Sequence, residues 1–226
     1  MKNIISIVLV LACAFMLFSC DKEDATLSAF DEINGMYNAI SPSMVYTKTT
    51  QEFGDYTLTG EATLKIGMVD GAEVAVYEYD YQQLRDLESG SSIDVLGVIE
   101  NVSGIKEYHE ELGVRVDGGK WDADGENFAP ATGATALTLT KETVVDFKED
   151  AENKAYTFTV LAANTKAVFG YEITSDVAVT IAHSGADIIG VKMEYNVANE
   201  DNEKYPTIKV TVEASYSYES QTITIK

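Results

Sequence analysis

Ile208-Lys209-Val210-Thr211-Val212-Glu213-Ala214 decides the fold class. Apolar and polar side chains alternate through it without a break. Alternation of period two, carried by β-branched residues, describes a strand with one face on a core and one in water. The same rhythm recurs at Val177-Ala178-Val179-Thr180-Ile181, Tyr156-Thr157-Phe158-Thr159-Val160 and Ala136-Leu137-Thr138-Leu139-Thr140. Upstream it is looser, at Thr57–Thr59, Ala62–Ile66 and from Val74 through Tyr77, Tyr79 and Tyr81. Between these runs stand turn signals about ten residues apart: Asp70-Gly71, Asp117-Gly118-Gly119, Asp124-Gly125, Glu149–Lys154, Ser184-Gly185 and Asn199–Lys204. Asp-Gly between alternating runs favours a hairpin, because Gly accepts positive φ. Short strands at regular spacing imply a mainly β fold, an antiparallel barrel or sandwich.

One segment breaks the rhythm. In Ser91–Ser103, apolar residues fall at Ile93, Leu96, Val98, Ile99 and Val102, with pairs three and four apart, and Val95 beside them. That spacing predicts one inserted helix over about 91–103, capped by Ser91 with Asp94 three residues on. Tyr81–Glu88 is read as a helical turn before it, and Ala25–Asn34 as a tether with a helical turn at Leu27–Ile33.

The amino terminus reads as an address. Ile4–Phe18 is almost wholly apolar after Lys2-Asn3, and too short for a membrane span, which needs roughly 20 residues. Ser19 precedes Cys20, with Leu17 at −3 from the cut, and Asp21-Lys22-Glu23-Asp24 follows. This predicts a lipoprotein signal over residues 1–19, a tether over 20–34 acylated at Cys20, and a single β-rich domain over 35–226. Several acyl chains on one cysteine anchor a protein stably, each buried CH₂ contributing about 0.8 kcal/mol.

Composition narrows the function classes. The chain has 226 residues with 37 acids against 16 bases, a net charge of −21. A surface this acidic repels polyanions, so nucleic acid is excluded as a partner. The signal takes Cys13 and acylation takes Cys20, so the mature chain has no free thiol for catalysis, metal binding or a disulfide. The two histidines, His109 and His183, lack the close spacing of a metal pair. Trp121-Asp122-Ala123-Asp124-Gly125-Glu126 gathers the oxygen ligands calcium favours, at Asp122, Asp124 and Glu126. Its spacing is not that of an EF-hand, and an acidic hairpin turn explains the same residues. No phosphate cradle, nucleophile elbow or dinucleotide fingerprint occurs. No cofactor and no catalytic residue is expected. Tyr77, Tyr79 and Tyr81 share one strand face, as do Tyr216 and Tyr218, and tyrosines so arrayed form ligand platforms, protein contacts or sheet packing. Tyr77, Tyr79, Tyr81 and Trp121 are the candidate ligand contacts.

Cys20 followed by Lys22-Glu23-Asp24 resembles the start of Bacteroidetes-type lipoproteins, in which Lys and two acids after the lipidated cysteine direct export to the outer face of the outer membrane. Gly35-Met36-Tyr37 and the Ser91–Ser103 segment resemble a lipocalin-like (calycin-like) layout in that group, with Tyr37 where the lipocalin motif has Trp. The resemblance implies an outer-membrane protein at the cell surface, the periplasmic face being the alternative. The expected function is a lipid-anchored, non-catalytic envelope protein binding a small molecule, a glycan or a partner protein. The alternatives are an adhesin or pilus-type subunit that assembles by strand addition through Gln221–Lys226, and a carboxylate-based hydrolase.

Overall fold

The computed structural model describes residues 28–85, 98–109, 113–116, 120–122, 138–199 and 203–224. It is mainly β. After a helix over 28–38 (α1) come β1 (Met44–Phe53), β2 (Tyr56–Val69), β3 (Ala72–Arg85), β4 (Val98–His109), β5 (Gly113–Val116) and β6 (Lys120–Asp122). Then follow β7 (Val144–Asp150), β8 (Ala155–Val160), a 3₁₀ turn (Ala162–Asn164), α2 (Thr165–Phe169), β9 (Val177–Ser184), β10 (Asp187–Ala198) and β11 (Thr207–Ser217). The strands form one 11-stranded antiparallel sheet in the order β6-β5-β4-β3-β2-β1-β11-β10-β9-β8-β7. Two meanders therefore meet where the first strand pairs with the last, from Met44↔Ser217 to Glu52↔Lys209. The order is linear, so these strands do not close into a barrel, and β6 and β7 are the edges.

The hairpins follow from local chemistry. Asp70 and Gly71 both take positive φ (52° and 90°), the two-residue turn that matches strand twist. Gly54 turns β1 into β2 at φ 57°, and a Cβ there would collide with the Tyr205 ring. That ring packs edge-on against Phe53 and Tyr56.

The core lies on one face of the sheet, the inner face, under α1. Ala29, Phe30, Ile33 and Met36 of α1 bury against Tyr156, Phe158, Val160, Val177, Val179, Ile181 and Ile188. Asn34 fixes the helix: its side-chain amide donates to the Leu139 carbonyl (3.0 Å) and its Oδ1 accepts the Leu139 N–H (2.9 Å). The buried Thr165 hydroxyl accepts the Ile173 N–H (2.9 Å), tying α2 to the chain that leads into β9.

Several expectations change. The helix expected over 91–103 is strand from Val98 onward, and residues 91–97 lie outside the described residues. Continuous pairing of β4 with β3, from Arg85↔Val98 to Val74↔His109, overrides the helical spacing. Val98 and Ile99 are exposed rather than turned to a core, and β-branched residues suit the strand. Strand β3 likewise replaces the expected helical turn through Arg85. The helical turn expected over 27–33 is helix from residue 28 and runs on to 38, with Phe30 and Ile33 in the core. Gly35-Met36-Tyr37 lies within that helix and opens no strand. Residues 138–140 form no strand despite their alternation, although Leu139 is buried. The expected terminal strand is absent over 221–224, and 225–226 lie outside the described residues.

Candidate functional site

Among the described residues, nothing covers the inner face beyond α1 and its exit, where it continues over β11, β1, β2 and β3. Register fixes what it presents. Tyr216, Val45, Leu64 and Tyr77 form one cross-strand row. Ala214, Thr47, Ala62 and Tyr79 form the next, and Val212, Thr49, Gly60 and Tyr81 the third. Each tyrosine of β3 thus faces a smaller residue on β2, and the residues shrink from Leu64 to Ala62 to Gly60. A Cβ on Gly60 would stand 3.0 Å from the Tyr81 Cβ. The absence of side-chain bulk on β2 leaves a hollow beside the tyrosine rings.

The rings make a ladder. Tyr77 and Tyr79 lie 5.8 Å apart between centroids at 32°, and Tyr79 and Tyr81 lie 6.1 Å apart at 31°. Lys106 on β4 sets its ammonium 5.8 Å from the Tyr79 ring centre, a cation–π distance. Opposite the ladder stand Tyr37 and Ile40 of α1 and its exit, with Ser41 and Pro42. Together these walls enclose a cleft of about 610 Å³, within the range of small-molecule sites. Five tyrosines line it: Tyr37, Tyr77, Tyr79, Tyr81 and Tyr216. Val45, Leu64 and Ile66 give it an apolar floor, and Thr47, Thr49 and Ser41 add hydroxyls. Its charged lining residues are Glu61 and Glu73, both acidic, with the Lys106 ammonium close by at the Tyr79 ring. Burial pushes the Tyr37 and Tyr216 hydroxyls up from the ordinary phenol range. Both are therefore neutral hydrogen-bond donors at physiological pH. The surface can stack on an apolar ring or chain and hydrogen-bond its polar edge.

The expected residues distribute unevenly. The structure brings Tyr77, Tyr79 and Tyr81 into the cleft. Trp121 and Asp122 sit on edge strand β6, three strands away from β3. Asp124 and Glu126 lie outside the described residues, as do Cys20, Lys22, Glu23 and Asp24. Among the described residues no group of three or more His, Cys, Asp or Glu is placed to hold a metal ion. His109 on β4 and His183 on β9 are separated by five intervening strands. His183 instead stacks on Tyr156, 5.1 Å and 12°. Tyr218 lies past the end of β11 and donates its hydroxyl to the Ile188 carbonyl (2.8 Å), so it does not pair with Tyr216 in the cleft.

Sequence reasoning missed Tyr37, Ile40 and the small residues Gly60 and Ala62. Phe30, Ile33, Tyr37 and Ile40 recur at helical steps of three and four, and that signal was present. The role of Gly60 and Ala62 depends on pairing with β3, which no local pattern carries.

No helix among the described residues is long and apolar enough to cross a membrane. No family model matches the chain, and no curated protein matches it. Two solved structures that match are a DUF1329 family protein from Desulfovibrio piger and the MucA/MucB complex of Pseudomonas aeruginosa. The first is 11% identical, with 87% of this chain and 95% of that chain covered and a TM-score of 0.31. The second is 11% identical, with 84% and 94% covered and a TM-score of 0.16. At these values the likeness decides nothing about function.

Proposed function

We propose that this chain is a non-catalytic envelope protein that binds a neutral compound with an apolar face in the tyrosine cleft. The observation that carries this reading is the cleft itself: a ladder of three rings set beside residues small enough to leave room for a guest. Close packing is the norm in protein interiors, so a hollow walled by hydroxyls and rings favours an occupant. Acidic walls and a net charge of −21 disfavour anions.

Nile red, a neutral dye that fluoresces in apolar sites, tests the cleft. Saturable one-to-one binding is expected, weakened at least roughly tenfold, about 1.4 kcal/mol, by Ala62→Leu, which fills the floor under Tyr79. Wild-type affinity in Ala62→Leu, with the variant folded, would place the dye elsewhere and count against the reading.

The envelope location is proposed from Cys20 and Lys22-Glu23-Asp24, with the outer membrane as the site of anchoring and the cell surface as the exposed face. Labelling of producing cells with a tagged palmitate is expected to mark the wild-type protein and to leave Cys20→Ala unmarked. Equal labelling of both would end the lipoprotein reading.

A further inference from the structure

The tyrosine ladder is periodic. From Tyr77 to Tyr79 the ring centres step 5.8 Å with 32° between planes, and from Tyr79 to Tyr81 they step 6.1 Å with 31°. Equal steps follow from alternate residues of one strand, which rise and twist by a constant amount. All three rings line the cleft. Tyr81 is 41% exposed and Gln83, the next residue on that face, is exposed too, so the ladder runs out toward solvent. Polar groups accompany it. Glu73 lies on the same face of β3 and lines the cleft, as do Thr47 and Thr49 of β1. From β4 the Lys106 ammonium comes within 5.8 Å of the Tyr79 ring centre. Charges of both signs thus stand beside a row of aromatic rings.

We propose that the cleft takes a neutral, extended β-1,4-linked oligosaccharide, one sugar unit against each of Tyr77, Tyr79 and Tyr81. This assignment rests on the cleft being a binding site. The periodicity is the first argument. A guest that repeats can make the same contact on every rung, and the steps are close to the length of one pyranose in an extended chain. A ladder set on a single strand follows a straight chain, whereas an α-1,4-linked chain coils away from it. The chemistry is the second argument. A purely apolar guest would strip water from Glu73, Thr47 and Thr49 without replacing its hydrogen bonds. A pyranose has a C–H face for a ring to cover and hydroxyls around its rim. Those hydroxyls donate to the Glu73 carboxylate and accept from the Lys106 ammonium. A charged guest would meet one of these two groups as a like charge.

Two families of β-1,4-linked probes, cello- and manno-oligosaccharides from the disaccharide to the pentasaccharide, test this by calorimetry on the full chain, with malto-oligosaccharides as the α-linked control. In at least one β-linked family, affinity is expected to rise roughly three- to tenfold with each added unit and to level off at about three units, one per ring. The malto series is expected to stay weak and flat. Tyr81→Ala, at an exposed rung, is expected to cost the trisaccharide roughly tenfold and the disaccharide, which can use the two remaining rings, less than about twofold. No binding by either β-linked family, or no dependence on length, in wild-type protein that binds Nile red would overturn the oligosaccharide assignment and leave the cleft reading intact. A malto series that rises as steeply would overturn the extended-chain geometry. A folded Tyr81→Ala protein that keeps full affinity for the trisaccharide would place the sugar off the ladder and overturn the proposal too. Protein that binds neither the sugars nor Nile red would remove both readings.

Discussion

Phe30→Ala is expected to lower the free energy of unfolding by about 3–5 kcal/mol, the cost of emptying a well-packed aromatic site. Phe30 is only 3% exposed and meets Phe147 edge-to-face at 4.8 Å. Phe147 in turn stacks on Tyr156 and Phe158 at 5.9 and 6.4 Å, so the truncation also uncovers an aromatic cluster on β7 and β8. Neighbouring Ile33 is fully buried, which leaves little freedom for the helix to settle into the gap. Asp31→Ala, on the exposed face of the same helix, is expected to change stability by less than about 0.5 kcal/mol. Urea unfolding of the two variants measures the contrast. Near-equal small effects would mean that residues 28–38 are a spacer after all, and that α1 does not wall the cleft.

The second large effect is alkaline. Tyr156 is 2% exposed. Burial first, then the negative charges of Glu32 and Glu149, push its phenol up to about 12. A phenol is neutral when protonated, so the folded state holds this proton more tightly than the unfolded chain, where the ordinary value is near 10. The stabilisation is complete below about pH 10 and is lost as pH rises from there through 12. A shift of two units corresponds to a loss on the order of 2 kcal/mol from this residue alone. Burial raises Tyr37, Tyr171, Tyr195, Tyr216 and Tyr218 in the same direction, so the whole protein is expected to lose stability more steeply than Tyr156 accounts for. Urea midpoints at about pH 8 and about pH 11.5, with phenolate absorbance followed in parallel, give the size of the drop. Tyr156→Phe should have a shallower drop than wild type. Identical profiles for the two would show that Tyr156 ionises as freely folded as unfolded.

How legible the molecule was depended on which interactions shaped each part. Strands β8, β9 and β11 could be read from alternation because one face of each meets a core or a covering helix, and burial writes itself into every second residue. The Asp70-Gly71 turn was legible because its backbone demands positive φ at two adjacent residues. Strand β4 was misread because both of its faces carry apolar residues: Val98, Ile99 and Ile105 are all exposed, and the mixture mimicked helical spacing. Helix α1 was underestimated because its apolar positions begin just after an acidic stretch that reads as solvated linker. In the cleft, the ladder of Tyr77, Tyr79 and Tyr81 is a property of one strand and was visible. The hollow beside it is a property of two strands in register, Gly60 opposite Tyr81 and Ala62 opposite Tyr79, and required the fold.

The arrangement gives the sheet a division of labour. Strands β8 to β10 and α1 form the core, while β1 to β3 carry the same inner face out from under the helix. Tyr37 stands at the boundary and belongs to both. A guest that presses on the ladder therefore also touches the helix that completes the core, and ligand binding should stabilise the fold by mass action.

The most direct measurement is NMR of the full chain with ring-labelled tyrosine, titrated with Nile red and assigned by single Tyr→Phe variants. Binding in the cleft requires the signals of Tyr77, Tyr79 and Tyr81 to move together and saturate at one equivalent, with Tyr156, buried on β8, unmoved. Shifts confined to tyrosines outside the cleft, or no shift at any of the three while the dye binds, would contradict the account.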